Sequence, residues 1–445
     1  MVFLPLLYFL ALTVFFVIRR KRFDICSYMS GLFAIVSLFS ILIVRYGYMG
    51  EAGVLYSVET LHLGFLPTLL YCLMATLVII PFSKVDDIKN DGIKVGSEKL
   101  FLVFSIFLLL LAALNFYLAS DTVIGLFKNG TWLGENEYTK NGYPSYSGLW
   151  ALRTAHYNGS KSMSDIRLEN MPKIFRYVYY LHHCTILLVP CLFYSLCCTQ
   201  RKWWFNVLLL LGSISVPFLS VQRADRTEII NYVMMFVFCG VFFWPILKKK
   251  QWVFFGIALV PIIVAATIYM VGVTKARFHT DDNGELKGFV QYSGQSYLNF
   301  CYIYDNEHCD TIYYARVFPM TSHFLFNENY DFDLQAVEKR YKMHGFKTDV
   351  FTSFAGTILV DLGKIPMILW TLAFCWLCML FFRNKRFGFS FWKLLLVFAL
   401  AEVPVFGIFY YRYYYYDLAM VFWVALAFYL YSEKDKILGK FLKRS

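Results

Sequence analysis

Residues 99–119 read KLFLVFSIFLLLLAALNFYLA, a run in which Lys99, at its edge, is the only charged residue. An α-helix rises about 1.5 Å per residue, so about 20 such residues cross the hydrocarbon core of a bilayer. Other segments have the same apolar character: 2–18, 27–45, 61–81, 174–198, 203–220, 228–247, 252–272, 353–382, 389–411 and 416–431. We therefore predict an all-α, polytopic integral membrane protein with about 11 transmembrane helices.

The composition of the chain excludes several classes of protein. Of its 445 residues, 59% are apolar and 16% are charged, whereas soluble domains have about 45–50% and about 25%. A disordered chain and a soluble enzyme are thereby excluded. The net charge is +12, but no Lys/Arg-rich segment is interleaved with aromatic residues as in a nucleic-acid-binding face. We expect no nucleic acid as a partner and place the positive charge in cytoplasmic loops.

The distribution of Lys and Arg predicts the orientation of the helices. With the N-terminus outside, strict alternation, and the long loop 273–350 left out because the rule applies to short loops, the inner connections carry more than twice as many Lys and Arg residues as the outer ones. The basic cluster 19–22 follows the first apolar segment, whereas a signal peptide carries its positive charge in front. We therefore expect a first membrane helix with its N-terminus outside, and a cytoplasmic C-terminus.

The loops predict how the single membrane domain, 1–445, is organised. Two outer loops, 120–173 and 273–350, are long and mixed in charge, and we expect both to carry short amphipathic helices, with 273–350 covering the site. Cys301 and Cys309 share the second loop on the oxidising side of the membrane, where a disulfide and two free thiols are equally compatible with the sequence.

One apolar segment, 353–382, is too long for a plain span. Gly363 and Pro366 lie inside it, and both residue types interrupt helices. We expect them to divide the segment into a short outer helix and a spanning helix.

Arginine at the outer ends of helices runs against the general charge trend. Because a guanidinium group binds phosphate through two parallel hydrogen bonds, an anionic ligand would explain this placement. Local ion pairs and snorkelling to lipid head groups are the alternatives. The candidate phosphate-binding residues are Arg223, Arg226, Arg277, Arg316 and Arg412.

Candidate acid–base residues lie near these arginines or inside apolar segments. Glu402 and Asp361 interrupt hydrophobic runs, where a carboxylate is costly and is a functional candidate by default. His323 follows Arg316 by a few residues and is a third candidate for the general base. Within the run of tyrosines before Asp417, Tyr413 and Tyr414 are candidates for stacking on sugars, with an aromatic belt at the membrane interface as the alternative.

The sequence predicts neither a metal site nor a cofactor site. His182 and His183 are adjacent, so we expect them to face different directions on a helix and not to share a metal. No pattern such as HxxxH or HExxH is present, and Cys375 and Cys378 lie in an apolar span where small packing residues are expected.

In layout the chain resembles the bacterial oligosaccharide repeat-unit polymerases, the Wzy-type O-antigen and capsule polymerases. The resemblance covers the whole chain: many aromatic-rich spans, a long outer loop late in the sequence, and arginines at outer helix ends. The local matches are Gln222–Thr227, Lys275–Arg277, Arg316–Pro319, Thr352–Thr357 and Val360–Gly363. Gln222 and Ala224 stand where family members often have Gly or Ser around the first arginine pair.

The resemblance implies a GT-C-like membrane glycosyltransferase in the bacterial cytoplasmic membrane, with its active site facing the periplasm or exterior. It implies undecaprenyl-pyrophosphate-linked glycans as donor and acceptor, no metal or other cofactor, and a chain-length regulator and a flippase as partner proteins. It also implies that the arginines bind the lipid pyrophosphate leaving group, while His323, Asp361 or Glu402 activates the acceptor hydroxyl.

Two other functions stay open at this point. An O-antigen-ligase-like transferase would share the mechanism and use a different acceptor. A flippase or transporter for lipid-linked oligosaccharides would have polar or broken helices at mid-membrane and often an internal repeat, which we do not find in the sequence.

Overall fold

The computed structural model describes residues 1–46, 63–85, 98–128, 167–199, 201–222, 226–277, 284–306, 317–319, 351–382 and 390–441. Within these ranges the regular secondary structure is helical, and one isolated bridge joins Ser353 and Tyr410. The prediction of an all-α protein is confirmed for this part of the chain.

The α-helices follow one another with short 3-10 turns between some of them. Their bounds are α1 Phe3–Arg20, α2 Ile25–Tyr46, α3 Phe65–Ile79, α4 Glu98–Lys128, α5 Lys173–Tyr179, α6 Leu188–Cys198, α7 Trp203–Ser213, α8 Ser215–Gln222, α9 Thr227–Phe243, α10 Lys249–Arg277, α11 Gly284–Asn306, α12 Ser353–Leu362, α13 Lys364–Phe382, α14 Phe391–Phe406 and α15 Tyr416–Phe441. The 3-10 helices are Ile80–Lys84, His182–Leu187, Trp244–Ile246 and Arg412–Tyr414.

Several helices are long and apolar enough to cross a membrane. Among the described residues there are six: Phe3–Arg20, Ile25–Tyr46, Phe65–Lys84, Glu98–Gly125, Thr227–Ile246 and Lys364–Phe382. A seventh span results if Lys173–Tyr179 and His182–Cys198, which meet at a bend of 55°, are counted together. The chain is thus a membrane-embedded helical protein, while the total of about 11 spans and their orientation stay predictions.

The predicted break in segment 353–382 is confirmed. Helix α12 ends at Leu362, and Gly363 follows with φ 87° and ψ 177°, a backbone conformation that is essentially restricted to glycine. Helix α13 begins at Lys364, which places Pro366 in its first turn, where backbone N–H groups have no partner within the helix.

The chain forms two compact units, which are described separately. The first comprises Met1–Asp86, Arg277–Arg383 and Glu402–Tyr416. The second comprises Asp87–Ala276, Asn384–Ala401 and Asp417–Ser445.

In the first unit, α2 packs against α1 and against α11, which also contacts α3 and α12. The Ser40 hydroxyl of α2 donates to the Gly294 carbonyl of α11 at 2.6 Å, and the hydroxyls of Tyr297 and Thr68 lie 2.8 Å apart. Helix α11 therefore belongs to the core of this unit, although it lies in the loop 273–350. This differs from the short amphipathic helices predicted for that loop.

The thiol of Cys301 lies on the buried side of α11, 4.0 Å from the Thr68 hydroxyl. It is a free thiol among the described residues. Cys309, its predicted partner in one of the two alternatives, lies outside the described residues.

In the second unit, α4 packs against α7, α8 and the 3-10 helix His182–Leu187. Near the other end of α4, the indole of Trp392 packs against Phe104 and Phe428, with ring centroids 5.6 and 5.3 Å away, and the two Phe rings also contact each other. This aromatic cluster joins α4, α14 and α15, because aromatic rings bury large areas and favour such offset contacts.

Candidate functional site

The structure describes only some of the predicted site residues. Arg223, Arg316 and His323 lie outside the described residues, and of Arg277 only the backbone, at the end of α10, is described. Arg226 is the residue before α9. Arg226 lies in the second unit, and the other site residues described in full lie in the first: Asp361, Glu402, Arg412, Tyr413 and Tyr414.

Glu402 and Arg412, both predicted as site residues, contact each other. The Arg412 Nε–H donates to Glu402 Oε2 at 3.1 Å, and the two side chains are 2% and 1% exposed. The guanidinium carbon also lies 5.2 Å from the centre of the Phe406 ring, within range of a cation–π interaction. The alternative of a local ion pair, which the sequence left open, is thus the one observed for these two residues.

The chain reverses direction between these two residues because α14 ends there. Pro404 lies inside the last turn of α14, where it removes a backbone donor. After Phe406, the carbonyls of Gly407 and Phe409 accept hydrogen bonds from the start of α12, including one of 2.7 Å from Phe354 N–H. The reversal brings Arg412 back to Glu402.

These same hydrogen bonds occupy the N-terminus of α12. The N–H groups of Thr352 and Ser353 both donate to the Phe409 carbonyl, at 3.1 and 2.7 Å. The hydroxyl of Thr357 accepts the Tyr411 N–H at 3.2 Å, which ties the residue before Arg412 to α12. The amides of Thr352, Ser353 and Phe354 are therefore engaged by protein carbonyls, and an anion at this end of α12 would depend on side chains.

The remaining predicted residues of this unit differ in exposure. Asp361 is fully buried on α12, one turn after Thr357. Tyr413 is buried and lies close enough to Glu402 and Arg412 for electrostatic interaction. Tyr414 is half-buried, and its ring centre is 5.4 Å from that of Tyr410. Of the two predicted sugar-stacking residues, Tyr414 is thus the more accessible.

A second polar cluster, in the second unit, was not predicted. His182 and His183 lie at the bend between α5 and α6, and Asp417 lies in the first turn of α15. Asp417 Oδ2 is 3.7 Å from His182 Nε2 and 3.2 Å from His183 Nε2. Glu228 of α9 completes the cluster, with Oε2 at 3.8 Å from His183 Nδ1.

The structure corrects the expectation that the two histidines face different directions on a helix. Adjacent helical side chains diverge by about 100–120°, so they lie on neighbouring faces, and a group between the faces contacts both. Their ring centres are 4.1 Å apart, and the Asp417 carboxylate is that group. With Asp417 the histidines place three potential metal-ligand atoms within 4.8 Å of one another. His183 and Asp417 are too far apart in the chain for a sequence motif to connect them.

A network of polar side chains holds the backbone at the histidines. The Asn115 Nδ2 group donates to the His182 carbonyl at 3.2 Å. The Thr185 hydroxyl donates to the same carbonyl at 2.9 Å, and the Ser215 hydroxyl donates to Thr185 Oγ1 at 3.1 Å. All four residues are buried, so the bend is fixed by hydrogen bonds.

Comparison with known proteins gives no further information about this site: the chain matches no described protein family, no curated protein and no solved structure.

Proposed function

We propose that the chain is a metal-independent membrane glycosyltransferase that polymerises undecaprenyl-pyrophosphate-linked oligosaccharide repeat units into a surface polysaccharide. The observation that carries the proposal is the buried Arg412–Glu402 pair at the end of the apolar helix α14, with Tyr413 beside it. Ionisable groups buried in a membrane protein are costly and mark functional sites by default.

The residues of this pair suit the reaction. The bond between the anomeric carbon of the donor glycan and its pyrophosphate oxygen breaks, and the electron pair leaves with the lipid pyrophosphate. A hydroxyl oxygen of the acceptor forms the new bond to the anomeric carbon and loses its proton. The reaction thus needs a cation for the leaving group and a base for the hydroxyl, and a guanidinium and a carboxylate supply them without a metal.

In the proposed mechanism, the incoming pyrophosphate replaces Glu402 as the partner of Arg412. The Glu402 carboxylate, released from Arg412, then accepts the proton of the acceptor hydroxyl. Arg223, Arg226, Arg277 and Arg316 are the further proposed ligands of the pyrophosphates.

Asp361 and His323 are the alternative bases, and Tyr414 is the more accessible of the proposed sugar contacts. We propose that the reaction takes place at the outer face of the bacterial cytoplasmic membrane, after a flippase has delivered the lipid-linked unit and under the control of a chain-length regulator.

The proposal is tested with purified protein in nanodiscs that contain lipid-pyrophosphate-linked repeat units. We expect a ladder of polymer lengths that persists in the presence of a chelator. We expect Glu402→Gln to reduce the rate of polymerisation by about 100-fold or more, as loss of a general base does. Asp121→Asn is the matched control, because Asp121 also pairs with an arginine, Arg167, but lies at the surface.

A double variant separates a role in chemistry from a role in folding. Replacing a buried ion pair as a whole by well-packed hydrophobic residues of similar volume is often neutral for stability. Glu402→Met combined with Arg412→Met should therefore restore folding without restoring the ladder. A ladder of normal length from the folded double variant would refute the proposed roles. Transfer of a single unit to another acceptor, or movement of the lipid-linked unit across the membrane without polymerisation, would refute the polymerase itself.

A further inference from the structure

The His182–His183–Asp417 cluster has the dimensions of a metal site. Ligands about 2.0–2.1 Å from a tetrahedral zinc ion lie about 3.4 Å from one another. The two distances from Asp417 Oδ2 to the histidine Nε2 atoms, 3.2 and 3.7 Å, lie on either side of this value. All three ligand atoms lie within 4.8 Å of one another, so both histidines and Asp417 are within reach of a common ion.

The hydrogen bond of His182 indicates which of its nitrogens is available. Its Nδ1 lies 2.6 Å from the Tyr179 carbonyl oxygen, which can only accept, so Nδ1 carries the proton. In a neutral imidazole Nε2 then presents a lone pair, and here this lone pair faces a carboxylate oxygen. A lone pair and a carboxylate oxygen that face each other are stable when a cation lies between them.

His183 has a similar environment. Its Nε2 faces Asp417, while its Nδ1 points towards the Glu228 carboxylate at 3.8 Å and has no closer hydrogen-bond partner among the described residues. Metal-ligating histidines generally have an acceptor behind the second ring nitrogen, which fixes the ring and makes it a stronger ligand. Tyr179 and Glu228 occupy these positions for the two histidines.

The surroundings favour a bound ion over a merely polar surface group. Both imidazoles are 4% exposed, and the carbonyl of His182 is held by Asn115 and Thr185. The Asp417 side chain is 25% exposed, so the protein leaves one side of the cluster uncovered. Zinc sites with three protein ligands keep a fourth position of this kind for water.

We propose that His182, His183 and Asp417 bind a divalent first-row transition-metal ion, best matched by zinc, with Tyr179 and Glu228 orienting the two imidazoles. Imidazole ligands exclude Mg²⁺ and Ca²⁺, which take oxygen ligands. The ion joins the bend between α5 and α6 to the first turn of α15 within the second unit. The proposal goes beyond the glycosyltransferase function, because no step of the transfer uses these residues.

The experiment measures metal content on the full-length protein in detergent. The protein is stripped with a chelator, exchanged into buffer with micromolar ZnCl₂, separated from free metal, and analysed by mass spectrometry. We expect one zinc per chain and a higher midpoint of thermal unfolding than for the stripped protein. Zinc should fall to less than about a tenth of a site per chain in Asp417→Asn and in His183→Gln, because loss of one of few ligands removes most of the affinity.

Asp121→Asn, in the same unit but in a surface ion pair, is the control and should retain the full zinc content. Cobalt provides a second measurement on the unsubstituted protein, which does not depend on the folding of any variant. Cobalt bound in a site of nitrogen and oxygen ligands should give visible ligand-field absorption that disappears when zinc is added.

Two outcomes would overturn the proposal. The absence of zinc and cobalt from the unsubstituted protein would show that a proton, and not a metal, lies between the histidines and Asp417. Unchanged zinc content in both folded variants would place the metal elsewhere. A failure of the proposed glycosyltransferase function is a different outcome, because it is measured by the polymer ladder and not by the metal content.

Discussion

A close approach of two helices in the first unit, at Gly294, gives the sharpest test of the structure. A Cβ atom added at Gly294 of α11 would lie 2.6 Å from both Phe39 O and Ser40 N of α2, and would also overlap Phe39 C. Ordinary van der Waals contact begins at 3.4 Å, so α11 and α2 would have to separate by at least about 0.8 Å, the difference between these distances. Backbone atoms cannot rotate away, so the whole contact between the helices has to yield.

The size of the effect follows from three contributions. Overpacking of a core costs about 1–3 kcal/mol. Loss of the hydrogen bond from Ser40 Oγ to the Gly294 carbonyl costs about 1 kcal/mol more. The better helix propensity of alanine offsets about 1 kcal/mol of this total. We therefore expect Gly294→Ala to lower the free energy of unfolding by about 1–3 kcal/mol.

The matched control is Gly31→Ala in α2. A Cβ added at Gly31 meets nothing within 4 Å, so only the helix propensity changes, and we expect this variant to be more stable by about 1 kcal/mol. Unfolding would be followed by tryptophan fluorescence in mixed micelles of a mild detergent and increasing fractions of dodecyl sulfate. If Gly294→Ala were as stable as Gly31→Ala, the close approach of α11 and α2 would be wrong.

Three further predictions concern the helix breaks and the polar clusters. At 3.1 Å and an effective dielectric constant of about 20, the attraction between Arg412 and Glu402 is about 5 kcal/mol. A double-mutant cycle of unfolding free energies with Glu402→Gln and Arg412→Met should therefore show a coupling energy of at least about 2 kcal/mol. Additive effects of the two substitutions would contradict the ion pair. Gly363→Ala should lower the free energy of unfolding by about 1–3 kcal/mol in the same assay, because alanine is strained at a φ of 87° even though the space around the residue is open. An unchanged stability would mean that the chain does not take this conformation. Asn115→Ala should lower the free energy of unfolding by about 1–3 kcal/mol and weaken zinc binding, because the backbone at His182 loses a hydrogen bond. Zinc affinity is measured by titration, and an unchanged affinity in this variant would show that other contacts hold the bend.

The apolar composition was sufficient to predict the fold class, since runs of about 20 apolar residues have few alternatives to a helix in a membrane. The break at Gly363 was also predictable, because a glycine close to a proline is a local signal. Helix α11 was not, because its pattern is mixed. It buries Gln295 and Asn299 together with Tyr297 and Cys301, and its packing against α2, α3 and α12 explains their burial.

The sites were predictable only in part, for a related reason. Glu402 and Arg412 each conflicted with their local sequence, so the sequence identified both, but their pairing depends on the reversal of the chain after Phe406. His183 and Asp417 gave no such signal. The histidine lies where an apolar run begins and the aspartate begins a helix, and both placements are ordinary in sequence. The tertiary contact between them is what makes a site.

In each unit the polar cluster lies where a helix is interrupted, and a physical reason connects the two observations. A helix break in an apolar environment leaves backbone N–H and C=O groups that need partners, because each unsatisfied group costs several kcal/mol. The Thr357 hydroxyl serves this purpose for Tyr411 N–H, and Asn115 serves it for the His182 carbonyl. The groups that satisfy the backbone also fix the ionisable side chains next to it, Arg412 in one unit and His182 in the other. We therefore expect the functional residues of this protein at its helix breaks, because the polar groups that satisfy the interrupted backbone also stabilise a buried charge next to it.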